Sequence, residues 1–227
     1  MPAKDRPMPR LTYAVADLHG RADLLAHAYR AIAAHAAAAA ATIVHLGDYV
    51  DRGPDSRGVV AFLMDAATLP AGWRRVVLKG NHEEMMVEAS AGRRWASEWG
   101  ENGGDATLAS YGGRVPRADL DWAAGLPLLH TDAHRVYVHA AVDPAVALEA
   151  QDPRHLLWAR YRTGDPGGHG ARHVVHGHQP YEDGPLLHPG RTDLDTLAWA
   201  TGRLVVGVFD DAAPGGPVDF IEVRRPD

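Results

Sequence analysis

Short apolar runs rich in β-branched residues recur along the chain, and each stops abruptly at a polar cluster. Runs of this kind are typical of strands whose ends present polar side chains. They are Leu11–Ala16, Thr42–Leu46, Arg75–Leu78, Arg135–Val138 and His173–Val175. Apolar residues at helical spacing follow the first three runs, over residues 21–41, 55–67 and 82–96. This alternation predicts an α/β layered fold with polar residues at the carboxyl ends of strands.

Three stretches add to this pattern. The alanine run Ala36–Ala41 predicts the end of the first helix, because alanine is the best helix former. Residues 95–129 predict a helical insertion lying over the site. Residues 194–224 alternate short strands, Leu204–Phe209 and Val218–Val223, with turns that contain Gly and Pro, which favours antiparallel sheet.

Composition narrows the class of protein. A chain of 227 residues, 46% hydrophobic and 23% charged, suffices for one large domain, so we expect a single domain over residues 1–227. The absence of cysteine excludes disulfides, thiolate metal sites and a phosphocysteine intermediate. A formal net charge of −6 argues against nucleic acid as the main partner. No apolar run could span a bilayer and Met1–Arg10 lacks a signal-peptide core, so we expect a cytoplasmic protein and no membrane partner.

The polar clusters supply six candidate metal ligands, with oxygen and nitrogen donors only. They are Asp17, His19, Asp48, Asn81, His139 and His178. Such donors suit Mn²⁺, Fe or Zn²⁺. Six side chains are too many for one tetrahedral ion with an open position, and fit two ions that share a carboxylate. Two divalent cations against two carboxylates leave a positive site, which attracts a phosphate dianion and stabilises a hydroxide nucleophile.

Three motifs resemble those of the calcineurin-like metallophosphoesterases, and more closely the bacterial and phage members of the phosphoprotein phosphatase family. They are Asp17-Leu18-His19-Gly20, Gly47-Asp48-Tyr49-Val50-Asp51-Arg52-Gly53 and Gly80-Asn81-His82-Glu83. The segments around His139, His178 and Arg160 resemble later loops of that family. The resemblance extends from Leu11 to about Leu204 and implies four layers, α/β/β/α, with mixed sheets flanked by helices.

The resemblance implies a role for each matched residue. One metal would be held by Asp17, His19, Asp48 and His178, and the other by Asp48, Asn81 and His139. Both ions would be Mn²⁺ in the favoured case, with Fe or Zn²⁺ as alternatives. His82 would donate a proton to the leaving group, with Asp51 orienting it. The substrate phosphate would be bound by Arg52 and Arg160, with help from Asn81. A metal-bridging hydroxide would attack phosphorus in line and in one step.

Asp51 and Glu83 favour a serine/threonine protein phosphatase acting on a phosphoprotein or a small phosphorylated substrate. The alternative is symmetrical hydrolysis of dinucleoside tetraphosphates, whose enzymes typically carry other residues at these two positions. A phosphodiesterase acting on nucleic acid is disfavoured by the net charge, and a non-catalytic scaffold by the full set of candidate ligands. The sequence does not indicate an oligomeric state.

Four further features receive structural interpretations. His45, inside an apolar strand, is expected in the core, and His176 is expected to support the ligands from behind. Glu83 is expected to support His82 or to cap the following helix. The segment Asp193-Leu194-Asp195-Thr196 resembles an aspartyl-nucleophile motif only faintly, and that reading is rejected because its threonine comes one place early and no apolar strand precedes it.

Overall fold

Two five-stranded sheets pack face to face in the computed structural model, which describes residues 10–37, 39–93 and 97–225. The strands are β1 (Leu11–Val15), β2 (Ala41–His45), β3 (Arg74–Val77), β4 (Leu129–Thr131), β5 (Arg135–Val138), β6 (His173–His176), β7 (Leu186–Leu187), β8 (Arg191–Asp193), β9 (Arg203–Asp210) and β10 (Asp219–Arg224). The first sheet has the order β10-β9-β1-β2-β3 and the second β4-β5-β6-β8-β7.

Both sheets are mixed. In the first, β1, β2 and β3 are parallel, while β9 and β10 add an antiparallel edge. In the second, β5, β6 and β8 are parallel, and β4 and β7 are antiparallel to their neighbours. The C-terminal strands are therefore antiparallel, as the turn pattern predicts.

The described helices are mostly short. They are α1 (Ala22–Ala36), α2 (Ser56–Met64), α3 (Asn81–Ser90), α4 (Asp105–Ser110), α5 (Arg117–Gly125), α6 (Pro153–Trp158) and α7 (Ala198–Thr201), with single turns at Ala66–Thr68, Gly100–Gly104 and Leu148–Ala150. None of the described helices combines the length and apolar character needed to cross a bilayer.

Alternate residues of each strand separate the layers. In β1, Tyr13 and Val15 face α1 and α2, while Ala14 faces the second sheet. Tyr137 of β5 and Phe209 of β9 fill the space between the sheets, with ring centroids 6.1 Å apart. A further apolar cluster between the outer face of the second sheet and α6 completes the layers, so the predicted α/β sandwich of mixed sheets flanked by helices is confirmed.

Two predicted helices are too long. The first ends at Ala36 rather than residue 41, because Ala37 adopts a left-handed conformation with φ 46° and the chain then turns into β2 at Ala41. The third ends at Ser90, where Gly92, with φ 67°, and a hydrogen bond from Arg93 N to Glu88 O terminate it. Ala38 of the first prediction and residues 94–96 of the third, together with Met1–Pro9, lie outside the described residues.

Candidate active site

The polar clusters that follow five parallel strands meet at one edge of the two sheets. Asp17 follows β1, Asp48 follows β2, and Asn81 begins α3 just after β3. From the second sheet, His139 follows β5 and His178 follows β6. Carboxyl ends of parallel strands share an edge, so residues far apart in sequence converge here.

Backbone hydrogen bonds hold these loops against one another. The N–H groups of Leu18 and His19 both donate to Asp48 O at 2.9 Å, and Gly177 N donates to His139 O at 3.0 Å. The described residues include seven non-glycine residues with positive φ, and five of them belong to these loops: His19, Asp48, Asp51, Arg52 and His178. Strained backbone of this kind persists where surrounding contacts enforce it and is typical of functional sites.

Glu83 fixes the loop that carries Asp48. Its buried carboxylate accepts hydrogen bonds from the N–H groups of Asp48 at 2.9 Å, Tyr49 at 2.8 Å and Gly80 at 2.9 Å. The bond to Gly80 caps α3, as one of the two sequence interpretations expects. The two bonds to the loop after β2 could not be predicted from the local sequence, because they join residues about 35 positions apart.

The histidines present unprotonated nitrogens to a common centre. His19 Nδ1 donates to Val50 O at 2.8 Å, which leaves Nε2 directed at Asp48 Oδ2, 3.5 Å away. His139 Nδ1 donates to Leu46 O at 3.0 Å, and its Nε2 lies 2.8 Å from Asn81 Oδ1 and 3.4 Å from Asp48 Oδ1. A carbonyl contact that fixes the tautomer is the usual arrangement behind a histidine that ligates a metal.

This set of donors fits cations. A neutral imidazole nitrogen, an amide oxygen and a carboxylate oxygen all offer lone pairs, so their mutual approach is repulsive unless a proton or a cation lies between them. Two groups have ligand atoms within 4.8 Å of one another: His19, Asp48 and His82 in one, and Asp48, His139 and His178 in the other. Asp48 belongs to both groups, as expected for the carboxylate that would bridge the two ions.

Asp17 contacts one of its predicted co-ligands. Its carboxylate accepts a hydrogen bond from His178 N at 3.2 Å and also contacts Asp195. The close group around His19 and Asp48 contains His82 as its third member. Asp17 still lines the same cavity as Asp48 and His178. The structure therefore brings all six predicted ligands to one centre, with Asp17 at its edge.

Burial controls the protonation of these groups. It lowers the pKa of His19 and His139 well below the ordinary range and that of His178 to about 4, so the imidazoles are neutral, as metal ligation requires. Burial also raises the pKa of the Asp17 and Asp48 carboxyl groups, with mutual repulsion adding to it at Asp48. A cation between the two would relieve both effects.

His82 and Asp51 form a buried pair next to the ligands. His82 Nδ1 lies 2.7 Å from Asp51 Oδ2, and Asp51 accepts further hydrogen bonds from Thr107 Oγ1 at 2.6 Å and Trp99 Nε1 at 2.9 Å. Burial raises the pKa of Asp51 to about 7. Burial, then the charge of Arg52, lowers the pKa of His82, so proximity to a carboxylate alone does not keep this imidazolium protonated at neutral pH.

Arg52 spans the two histidines. Its Nη1 donates to His19 Nε2 at 2.9 Å and its Nη2 to His82 Nε2 at 3.0 Å. Its backbone N–H donates to Gly103 O at 3.2 Å, in the segment between α3 and α4. A side chain at Gly103 would run into Arg52, because a Cβ there would lie 2.7 Å from Arg52 N. The segment that contains Trp99, Gly103 and Thr107 therefore lies directly against the site.

A cavity of about 320 Å³ opens onto these groups. Seven of the predicted residues line it: Asp17, Asp48, Arg52, Asn81, His82, Arg160 and His178. His19, Asp51 and His139 contact those residues from behind. Asn102 and Asp195 also line the cavity and were missed. Asn102 belongs to the Glu-Asn-Gly-Gly segment, and Asp195 belongs to the rejected Asp-Leu-Asp-Thr segment. The sequence therefore indicates only weakly that either residue lines the site.

His176 ends β6, two residues before His178. It is fully buried, and its Nε2 accepts a hydrogen bond from Arg191 Nη1 at 3.1 Å. His45 is likewise buried in β2, with Nε2 3.0 Å from Tyr29 Oη, which confirms its interpretation as a core residue.

Comparison with known proteins identifies relatives of this chain. Serine/threonine-protein phosphatase 1 of Salmonella typhimurium is 32% identical over 151 residues, which is 61% of this chain and 65% of that protein. The symmetrical bis(5'-nucleosyl)-tetraphosphatase of Nitrosospira multiformis is 29% identical over 180 residues, 77% of this chain and 58% of that protein. The matches thus span less than two thirds of either relative's length.

Solved structures share the fold. A crystal structure provisionally described as a diadenosine tetraphosphatase superposes with a TM-score of 0.69 at 24% identity, over 96% of this chain and 94% of the other. The model of the calcineurin-like phosphoesterase family matches residues 11–207, which include every residue of the site described above. The chain therefore belongs to the calcineurin-like phosphoesterase family.

Proposed function

We propose that this protein is a metal-dependent phosphomonoester hydrolase and, within that class, a serine/threonine protein phosphatase. The observation that carries the proposal is the convergence of His19, Asp48 and His139 on one centre, beside the His82–Asp51 pair. The identity of 32% to serine/threonine-protein phosphatase 1 supports the protein-phosphatase assignment. We also propose that residues 1–227 form one domain, with an insertion around residues 95–129, helical in parts of its described portion, covering the site.

Two divalent cations, with Mn²⁺ favoured, would be held by the six ligands that the sequence analysis lists. His19, Asp48 and the nearby Asp17 and His178 would hold one, and Asp48, Asn81 and His139 the other. When bound, such cations supply Lewis acidity and a water acidic enough to attack phosphorus near neutral pH. The short contact between His139 Nε2 and Asn81 Oδ1, 2.8 Å, supports this assignment because both atoms are acceptors.

Arg52 and Arg160 would bind the phosphate, with Asn81 assisting. Both arginines line the cavity, and a guanidinium group matches two phosphate oxygens while keeping its charge. In this structure the Arg52 guanidinium donates to two neutral imidazoles. Phosphate oxygens are stronger acceptors than those nitrogens, so we expect Arg52 to turn from His19 and His82 to the substrate.

His82 would donate the proton to the leaving group, with Asp51 fixing the ring through Nδ1. A bound phosphate dianion would balance the charge of Arg52, which is one of the causes that lower the pKa of His82. Substrate binding would therefore remove one of the causes that lower this pKa, while the burial of His82 would remain. Positioned general acids contribute typically ~10²–10⁴-fold to rate.

Symmetrical hydrolysis of dinucleoside tetraphosphates is the second candidate. The relative in Nitrosospira multiformis, 29% identical over 180 residues, is the observation in its favour. Against it, Asp51 and Glu83 both make the buried contacts described above, and the family resemblance implies other residues at these two positions in enzymes of that type.

One experiment tests both the class and the substrate. The purified protein is assayed with Mn²⁺ for release of phosphate from p-nitrophenyl phosphate, with and without chelator. A phosphoserine peptide and diadenosine tetraphosphate are then compared at equal concentration. We expect chelator-sensitive turnover and a higher kcat/KM for the peptide. Much faster turnover of the dinucleotide would overturn the protein-phosphatase assignment, and no turnover of any substrate would overturn the enzyme assignment.

A further inference from the structure

A second cavity, of about 460 Å³, lies beside the catalytic one and is lined by arginine without any carboxylate. Its walls include Arg21, Arg224 and Arg225, together with the indole of Trp199. The volume is within the range of pockets that bind small ligands, about 300–1,000 Å³. Three arginines line this one cavity, although the formal net charge of the chain is −6.

The carboxylates near this cavity neutralise only part of its charge. Arg21 is held by both oxygens of Asp23, with N–O distances of 2.8 and 2.7 Å. Arg224 shares the carboxylate of Glu222 with Arg203, each through one oxygen. Of the three arginines that line the cavity, Arg21 and Arg224 therefore each bind a carboxylate, and the carboxylate of Glu222 is shared with Arg203, which lies outside the cavity.

Arg225 supplies the remaining charge. Within the described part of the chain, the side chain of Arg225 has no carboxylate partner. The backbone N–H of Arg225 donates to Gly202 O at 2.8 Å. Glu182 and Asp183 line a separate depression that shares Thr201 and Arg224 with this one. A cavity wall with excess positive charge concentrates anions at its mouth.

The second cavity is adjacent to the catalytic one. The Trp199 ring centroid is 5.9 Å from Cζ of Arg52, which lines the catalytic cavity. The loop that carries Asp195 at the catalytic cavity leads directly into α7, which carries Trp199. Arg21 anchors this helix by donating to Ala198 O at 3.1 Å. A substrate whose phosphate meets Arg52 would therefore extend across Trp199 towards Arg225.

We propose that this second cavity is a substrate subsite for a second anionic group, a carboxylate or a phosphate, next to the phosphate that is hydrolysed. The inference rests on the proposed function. For a phosphopeptide the second group is an acidic or phosphorylated side chain near the phosphoserine, and for a dinucleoside tetraphosphate it is a distal phosphate. Trp199 provides an apolar wall for the atoms between the two groups.

The test uses phosphoserine peptides in matched pairs, in which Glu or Gln occupies each flanking position in turn. At one of these flanking positions, we expect the KM of the wild type to be about two- to fivefold lower for the Glu peptide than for the Gln peptide. This is the range expected for a partly exposed charge pair. Arg225→Ala should abolish this preference and Arg225→Glu should reverse it. Arg30→Ala, at an exposed position on α1, is the matched control and should retain the preference. Added salt should weaken the preference in the wild type.

A second arm distinguishes the sources of the anion. If the KM for diadenosine tetraphosphate rises in Arg225→Glu while the Glu and Gln peptides of each pair have equal KM values, the subsite binds a phosphate of the dinucleotide. Equal KM for every Glu and Gln pair, together with an unchanged KM for the dinucleotide, would overturn the proposal. Calorimetric titration of the same ligands into wild type and Arg225→Glu gives the affinity ratio without turnover, so a failure of the proposed enzyme activity is distinguished from a failure of the subsite.

Discussion

His82 Nδ1 lies 2.7 Å from Asp51 Oδ2, and the Asp51 side chain is fully buried. Thr107 and Trp99, from the segment between α3 and α5, complete the hydrogen bonds of this carboxylate. The imidazole is therefore fixed from behind, with Nε2 directed at Arg52 and the cavity. A proton donor held in this way is suited to one leaving-group position.

The first prediction concerns the acid role of His82. His82→Asn should lower kcat on a phosphoserine peptide by about 10²-fold or more, because an alkoxide leaving group needs a proton. The loss on p-nitrophenyl phosphate should be much smaller, since that leaving group departs unprotonated. Steady-state kinetics on the two substrates measure the difference.

Metal content provides the control for this variant. His82 belongs to one of the two groups that could hold an ion, so the ion content per chain is measured by elemental analysis. Unchanged content with a selective loss on the peptide supports the acid role. An equal loss on both substrates would contradict the acid role, and loss of an ion would mean that His82 acts as a ligand instead.

The second prediction concerns the support of Asp51. Trp99→Phe removes the Nε1 donor 2.9 Å from Asp51 Oδ2 and keeps an aromatic ring in its apolar cluster. The hydrogen bond lowers the pKa of Asp51, so its removal should raise that pKa further above about 7. The acid limb of the pH–rate profile should move to higher pH, and kcat at pH 7 should fall by roughly three- to tenfold. Trp122→Phe is the matched control, and a profile identical to it would contradict the prediction.

The third prediction concerns Asp48, which both ion-binding groups contain. Asp48→Asn removes one negative charge from both groups, so the content of bound Mn²⁺ should fall to less than one ion per chain. The rise in Tm that Mn²⁺ produces should disappear, because a ligand stabilises by about 2.7 kcal/mol at a hundredfold excess over its Kd. Asp105→Asn, at an exposed position in α4, should behave as wild type. A full complement of two ions in Asp48→Asn would exclude a bridging role.

The main layers and most of the site residues could be predicted because they follow strands with a clear apolar pattern. Asp17, Asp48 and His139 each follow such a strand within three residues. The sequence gives little indication of Asp195, because β8, Arg191–Asp193, which precedes it, contains no apolar residue. That strand is nevertheless buried, since it pairs with β6 on one side and β7 on the other. Its position in the sheet, and not its composition, determines its burial.

The contacts of Glu83 and the end of α1 could not be predicted from the sequence, for a related reason. Local composition favours helix up to residue 41, but Ala41 pairs with Leu11 in the first sheet. Glu83 carries a local capping pattern, whereas its bonds to Asp48 and Tyr49 depend on the packing of a distant loop. Long-range contacts override local preference at both places.

The fourth prediction concerns stability. Glu83→Gln replaces one carboxylate oxygen by an NH₂ group, which then faces backbone N–H donors of Asp48, Tyr49 or Gly80. The free energy of unfolding in urea should fall by about 2–3 kcal/mol, because a buried donor loses its charged acceptor. Glu88→Gln, on the same helix, should change it by less than about 0.5 kcal/mol. An equally small change for Glu83→Gln would mean that these bonds do not stabilise the loop.

The last prediction is a pH dependence of stability that arises from His45. Burial lowers the pKa of His45 from 6.5 to about 3 in the folded protein. The unfolded chain therefore binds this proton first as pH falls. The stability contribution is complete above pH 6.5, declines between pH 6.5 and 3, and is lost below that range.

Carboxylates also titrate in this window, so a comparison of variants isolates the effect of His45. His45→Gln removes the titrating group and keeps an acceptor for the Tyr29 hydroxyl, 3.0 Å from Nε2. Its unfolding free energy should fall less steeply between pH 6.5 and 4.5 than that of wild type, by up to about 1.4 kcal/mol per pH unit. His27→Gln, on α1, should retain the wild-type slope. Parallel stability curves for His45→Gln and wild type would show that protonation of His45 does not oppose folding.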